Sequence, residues 1–164
     1  MKTIKVQLGT DSIKAAIKEI KDYKAEVKRK TTELLKLMVA HGEDYAINSV
    51  SHIDTGGTLS SIHGYRKGNK GVIVAGGNAI WLEFGTGVKN NGSAGSSPHP
   101  KGDELGMVIG NYGSGHGADP NGWWYFDDGT VKHTYGIKAT QFMWKTALEL
   151  QKVAPELARE VFSR

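Results

Sequence analysis

The chain has 164 residues, enough for one domain with a sizeable buried core, and carries a formal net charge of +4 with a pI near 9.2. It contains no cysteine, which excludes disulfides, thiolate metal sites and cysteine nucleophiles. No stretch reaches the ~18 apolar residues of a membrane span, and the N-terminus lacks a signal-peptide apolar region, so a soluble protein made in the cytoplasm is expected.

In chain order, Ile4, Val6 and Leu8 alternate with Lys5 and Gln7, which predicts a half-buried strand over 3–8. A helical pattern occupies 11–50, with Ile13, Ile17, Ile20 and Val27 on one stripe and Leu34, Leu35, Met38 and Tyr45 continuing it. The helix is either continuous or broken near Thr31, where Thr31 or Thr32 offers a cap. Residues 1–36 hold ten Lys/Arg against five Asp/Glu, so the basic bias is concentrated here. Lys28, Arg29 and Lys30 are expected on a basic face that stays exposed in one subunit and meets a partner.

After a glycine-rich turn over 54–58, Leu59–Tyr65 and Gly71–Ala75 read as a hairpin turning at Gly68 and Asn69. Asn78–Phe84 is ambiguous between strand and short helix. Residues 85–122 hold 11 of the 22 glycines and three of the four prolines, and read as a long flexible loop ordered only by neighbours. Trp123-Trp124-Tyr125-Phe126 is a strongly apolar strand, Asp127-Asp128-Gly129-Thr130 a hairpin turn, and Val131–Tyr135 the return strand. The last element, 140–162, is a helix with the stripe Met143, Ala147, Leu150, Ala154, Leu157, Val161, kinked or restarted at Pro155. The expected fold is a single α+β domain over 1–164. An antiparallel sheet of about four to five strands is covered by a long N-terminal and a C-terminal helix.

Few residues carry chemistry. The six histidines, His41, His52, His63, His99, His116 and His133, include no pair at helical metal-binding spacing. His99 and His116 share the loop with Asp103 and Asp119, where a metal would need a fixed cage. No phosphate-cradling loop and no serine elbow occurs, so no cofactor is expected. Glu83, between Leu82 and Phe84, is expected to accept N–H bonds from the Gly85–Gly87 turn or to pair with a cation of a neighbouring subunit. Trp123 and Trp124 are expected in the core or at a subunit interface, because the acids that follow disfavour base stacking.

Three segments share a resemblance. Ala79-Ile80-Trp81-Leu82-Glu83-Phe84-Gly85-Thr86-Gly87 is similar to a valine-glutamate-phenylalanine-glycine-threonine core. Asp54-Thr55-Gly56-Gly57-Thr58-Leu59-Ser60-Ser61-Ile62 is similar to a threonine-glycine-x-leucine-x-x-serine-isoleucine motif. Gly136-Ile137-Lys138-Ala139-Thr140-Gln141-Phe142-Met143-Trp144 resembles the start of a last helix that often carries alanine-arginine-proline-phenylalanine, with Thr140 and Gln141 departing from it. Together they resemble the tailed-phage minor structural proteins named after gene product ten of phage Hong Kong ninety-seven. The resemblance covers roughly residues 40–160.

That resemblance implies a non-enzymatic virion protein of the head–tail junction, in a neck, tail-completion or tail-terminator role. It implies a ring of its own copies, six in the family style, between connector and tail proteins. The ring would form in the host cytoplasm, with passive contact to packaged DNA and no membrane partner. The structural motif would comprise Leu59, Ile62, Trp81, Glu83, Phe84, Gly85, Thr86, Gly87 and Phe142. Two other classes compete: a nucleic-acid-binding protein using the basic N-terminal helix, and a small hydrolase using Glu83 and the loop histidines.

Overall fold

The computed structural model describes residues 9–50, 57–87, 97–107 and 119–163. The strand expected over 3–8 lies outside them, as do Asp54–Gly56, His52 and His116. The elements are α1 (Thr10–Val50), α2 (Gly57–Ser61), β1 (His63–Lys67), β2 (Lys70–Val74), α3 (Ala79–Phe84), β3 (Trp123–Asp127), β4 (Thr130–Thr134) and α4 (Phe142–Ser163).

α1 runs unbroken for 41 residues, about 60 Å at helical rise. Of the two alternatives the continuous helix is the one formed, because the threonines bond backwards instead of capping. Thr31 Oγ1 donates to the Val27 carbonyl at 2.8 Å and Thr32 Oγ1 to Lys28 at 3.0 Å.

α4 lies antiparallel along the C-terminal half of α1. Gly42 faces Leu150 at one end of the contact, and Lys30 reaches Phe162 at the other. Thr10–Arg29 therefore extends past the last turn of α4 as an arm about 30 Å long. Within α4 the fully buried side chains are Phe142, Thr146 and Val161. The predicted stripe is largely the inward face: Val161 is buried and Met143, Leu150, Ala154 and Leu157 are half-buried, but Ala147 is exposed and Thr146 takes an inward position. The helix continues through Pro155.

The four strands do not form one sheet. They make two separate antiparallel hairpins, β1–β2 and β3–β4. Ala79–Phe84, ambiguous in the sequence, is helical, and among the described residues no strand links the two hairpins. β1–β2 packs on α1. The backbone of Gly64 approaches Val39 where a Cβ would collide, and its N–H donates to Glu43 Oε2 at 3.0 Å. Its turn has positive φ at Gly68 alone. The Asp128-Gly129 turn of β3–β4 has positive φ at both residues, the primed geometry that matches strand twist.

Leu59 to Ser61, expected to begin a strand, instead close the single helical turn α2. Ser60 and Ser61 hydroxyls bond back to the carbonyls of Gly57 and Thr58, an alternative that serine offers the backbone. The apolar cluster of Ala46, Val50, Ile62, Ala79, Leu82 and Phe142 then joins α1, α3 and α4, with Leu59 and Met143 packed against it.

Candidate functional site, a carboxylate that holds two distant segments

The motif Ala79–Gly87 is the hinge of the fold. α3 is six residues long, and Gly85 follows it with φ 75°, its N–H returning to the Trp81 carbonyl. The chain beyond Leu82 runs antiparallel to residues 137–141. Thr86 and Ile137 exchange backbone bonds at 2.8 and 3.0 Å, and Thr140 N–H donates to the Leu82 carbonyl at 2.8 Å. The two segments touch closely enough that a Cβ on Gly87 or Gly136 would strike the carbonyl opposite, Tyr135 or Thr86. Both glycines also have positive φ, 75° and 100°.

This pairing aims Glu83 at the start of α4. Its Oε2 accepts Met143 N–H at 2.8 Å and its Oε1 accepts Trp144 N–H at 2.9 Å. These are two of the orphan donors that every helix N-terminus exposes. The residue just before α4, Gln141, does not cap it. Its side chain donates to the Pro98 carbonyl at 3.0 Å, and its backbone has φ 56°. A carboxylate from sixty residues upstream therefore takes the capping role, where negative charge also meets the positive end of the helix dipole. The expected partners of Glu83, the N–H groups of Gly85–Gly87 or a neighbouring subunit's cation, are replaced by these.

A third bond to the same carboxylate comes from the glycine-rich loop. His99 Nε2 lies 2.8 Å from Glu83 Oε1, with His99 6% and Glu83 7% exposed. His99 Nδ1 accepts the Lys101 N–H at 2.9 Å, so the proton sits on Nε2 and the ring donates to Glu83. The imidazole packs 4.4 Å from the Phe84 ring and edge-on to Trp144. Ser97 Oγ donates to the Phe84 carbonyl at 2.8 Å. The part of the loop around Ser97–His99 is thus fastened within the subunit, contrary to the expectation for 85–122. The signal was present in the sequence: Pro98-His99-Pro100 is the stiffest tripeptide of a glycine-rich stretch.

A buried carboxylate beside an imidazole has the composition of an acid–base pair. Here both ring nitrogens and both carboxylate oxygens are engaged by the fold, so no nitrogen lone pair faces the open apolar groove beside them. That groove, ≈ 490 Å³, is lined by Ile80, Leu105 and Trp144 and also by Glu83, His99 and Lys101. Among the described residues, no three His, Asp or Glu side chains are grouped to hold a metal. No helix among them is long and apolar enough to cross a membrane.

The other predicted residues divide. Ile62, Phe84, Gly85, Gly87 and Phe142 are buried, Leu59 and Trp81 are half-buried, and Thr86 sits in the paired segment. Trp123 is half-buried, whereas Trp124 is 70% exposed. Lys28 and Arg29 are exposed, Arg29 lying 3.3 Å from Glu33. Lys30 is not on that exposed face. It is buried, 3.3 Å from Glu26, and its Nζ donates to the Phe162 carbonyl at 3.3 Å. A cation there satisfies the C-terminal end of α4, a role the clustering of Lys28, Arg29 and Lys30 in sequence concealed.

No protein family, no curated protein and no solved structure matches this chain.

Proposed function

We propose that this chain is a non-enzymatic structural component of a tailed phage or phage-like particle. In this reading it forms a ring at the head–tail junction, in a neck, tail-completion or tail-terminator role. The observation that carries the reading is Glu83. The acid at the centre of the resembling motif is spent on three internal bonds that join α3, the Pro98–Pro100 segment and α4. A motif conserving fold geometry rather than a reactive group suits an assembly protein. The apolar side chains left at the surface, on α1 and on β3–β4, suit contacts between copies. A ring requires two different surfaces on each copy, related by a rotation that closes. Its partners are then itself, the connector and tail proteins on either side, and packaged DNA passing through.

The test is particle assembly. Particles produced without this chain are expected to accumulate as separate filled heads and finished tails, and purified protein should join them. Cryo-electron microscopy of the joined particles should place a ring of this chain between connector and tail tube. Normal joining in its absence refutes the proposal.

The basic arm supports a second reading, nucleic-acid binding. Thr10–Arg29 carries six Lys/Arg against four Asp/Glu and extends past the last turn of α4. Affinity of the isolated subunit for DNA that falls steeply with salt would favour it.

A further inference from the structure

Two apolar surfaces stand out, and they lie on different parts of the molecule. The first is on the α1 arm. Ile13, Ile17 and Ile20 are 44, 48 and 54% exposed around a buried Ala16, on the same stripe that α4 covers farther along the helix. Their i, i+4, i+7 spacing continues through Val27 to Leu34, so the arm extends an existing packing seam beyond the end of its occupant. The second surface is one face of the β3–β4 hairpin. Trp124 and Phe126 alternate onto one side of β3, and the register places His133 and Val131 opposite them on β4. Trp124, Phe126 and Val131 are 70, 74 and 65% exposed. A two-stranded hairpin has little stability of its own, and one that presents a tryptophan and a phenylalanine to water lacks its packing partner.

Charge distinguishes the possible pairings. The arm bears a net +2 over Thr10–Arg29, while β3–β4 bears Asp127 and Asp128 against Lys132 alone. Asp127 is already paired with Lys132 at 2.7 Å, which leaves Asp128 at the hairpin tip as the outward acid. Arm against arm brings two basic surfaces together. Hairpin against arm sets the acidic tip among Lys14, Lys18, Lys21 and Lys24, and lays the aromatic face on the isoleucine stripe with lysines free to cover the rings. The footprints agree in scale: about 10 Å from Ile13 to Ile20 along the helix, and about 7 Å from Trp124 to Phe126 along the strand.

We infer that the Trp124/Phe126/Val131 face of the β3–β4 hairpin docks on the Ile13/Ile17/Ile20 stripe of the α1 arm of a second copy of this chain. The contact is head-to-tail, because donor and acceptor surfaces differ, and each copy keeps one of each free for the next. The inference names the subunit contact of the ring proposed above and rests on that reading for its biological setting, but the contact is testable without particles.

The absence of cysteine makes site-directed cross-linking clean. Ile17→Cys and Phe126→Cys are placed on separate chains, both positions being exposed, and each variant is checked for native circular dichroism. Oxidation of the mixture at about 100 μM should give a disulfide-linked dimer, and each variant alone at least tenfold less. A single chain carrying both substitutions should give a ladder ending at one closed oligomer. Asp128→Lys should reduce the cross-linked fraction severalfold, and Lys21→Glu should restore part of it. Dimers from Ile17→Cys alone would show arm-to-arm association and overturn the inference. Dimers from Phe126→Cys alone would show paired hairpins and overturn it too, as would the absence of a cross-link in the mixture. A ladder from a protein that particles neither contain nor need leaves this contact standing and defeats the proposed function instead.

Discussion

Glu83→Gln isolates the central bond network with minimal change of shape. The glutamate accepts three bonds, at 2.8 Å from His99, 2.8 Å from Met143 and 2.9 Å from Trp144. A glutamine offers one acceptor oxygen. With that oxygen at the Oε1 position, the bonds from His99 and Trp144 survive as neutral ones. The amide NH₂ then faces the Met143 N–H, leaving a donor against a donor. An unsatisfied buried donor costs about 1–3 kcal/mol. Loss of the negative charge at the α4 N-terminus adds about 0.3–1 kcal/mol. The expected destabilisation is about 1.3–4 kcal/mol, which lowers Tm by roughly 3–15 °C for a chain of this length. Folding should survive, since domains hold about 5–15 kcal/mol in reserve. Urea and thermal unfolding of the purified subunit measure it, and a double-mutant cycle with His99→Ala should return a coupling of about 0.5–3 kcal/mol. A Glu83→Gln protein within about 0.5 kcal/mol of the original, the range of ordinary surface changes, would refute the capping argument.

Four further outcomes are expected. Gly136→Ala should lose about 2–4 kcal/mol in the same unfolding assay, because the new methyl group meets the Thr86 carbonyl at a backbone φ of 100°. Lys30→Glu should lose about 2–4 kcal/mol, since it replaces the buried cation on the Phe162 carbonyl by an anion beside Glu26. Reversing exposed Lys28 and Arg29 to Glu should change stability by no more than about 0.5 kcal/mol each, so any effect of that pair on head–tail joining reports an interface. Trp124→Ser with Phe126→Ser should leave the unfolding midpoint within a few degrees while abolishing self-association on a sizing column.

The local elements were legible where local physics decides them. Helix over 11–50 followed from its apolar stripe, though not its continuity at Thr31, and the second hairpin followed from Asp128-Gly129 between apolar strands. Leu59–Ser61 misled because serine side chains can close a helical turn as readily as they can border a strand. Two hairpins rather than one sheet could not be read, because pairing between strands far apart in the chain leaves no local signal, and the apolar alternation of Ala79–Phe84 suits a strand as well as a buried helix. For Glu83 the expectation of N–H partners was sound, but their identity was not readable. The donors lie sixty residues away, brought in by the pairing of 82–86 with 137–141. Lys30 shows the same limit: three consecutive cations look alike in sequence, yet only one points at the end of another helix.

α4 is anchored at both ends by side chains it does not own, Glu83 at Met143 and Trp144, Lys30 at Phe162. The helix is thereby a rod of set length, about 29 Å from Met143 to Phe162. One residue inserted between the anchors would shift the far end by about 1.5 Å and turn it by about 100°, and a whole added turn would overshoot by more than 5 Å. Either change releases one anchor, so variation in chain length is admissible elsewhere and not between Trp144 and Val161. The rod also spaces the root of the β3–β4 hairpin from the base of the α1 arm.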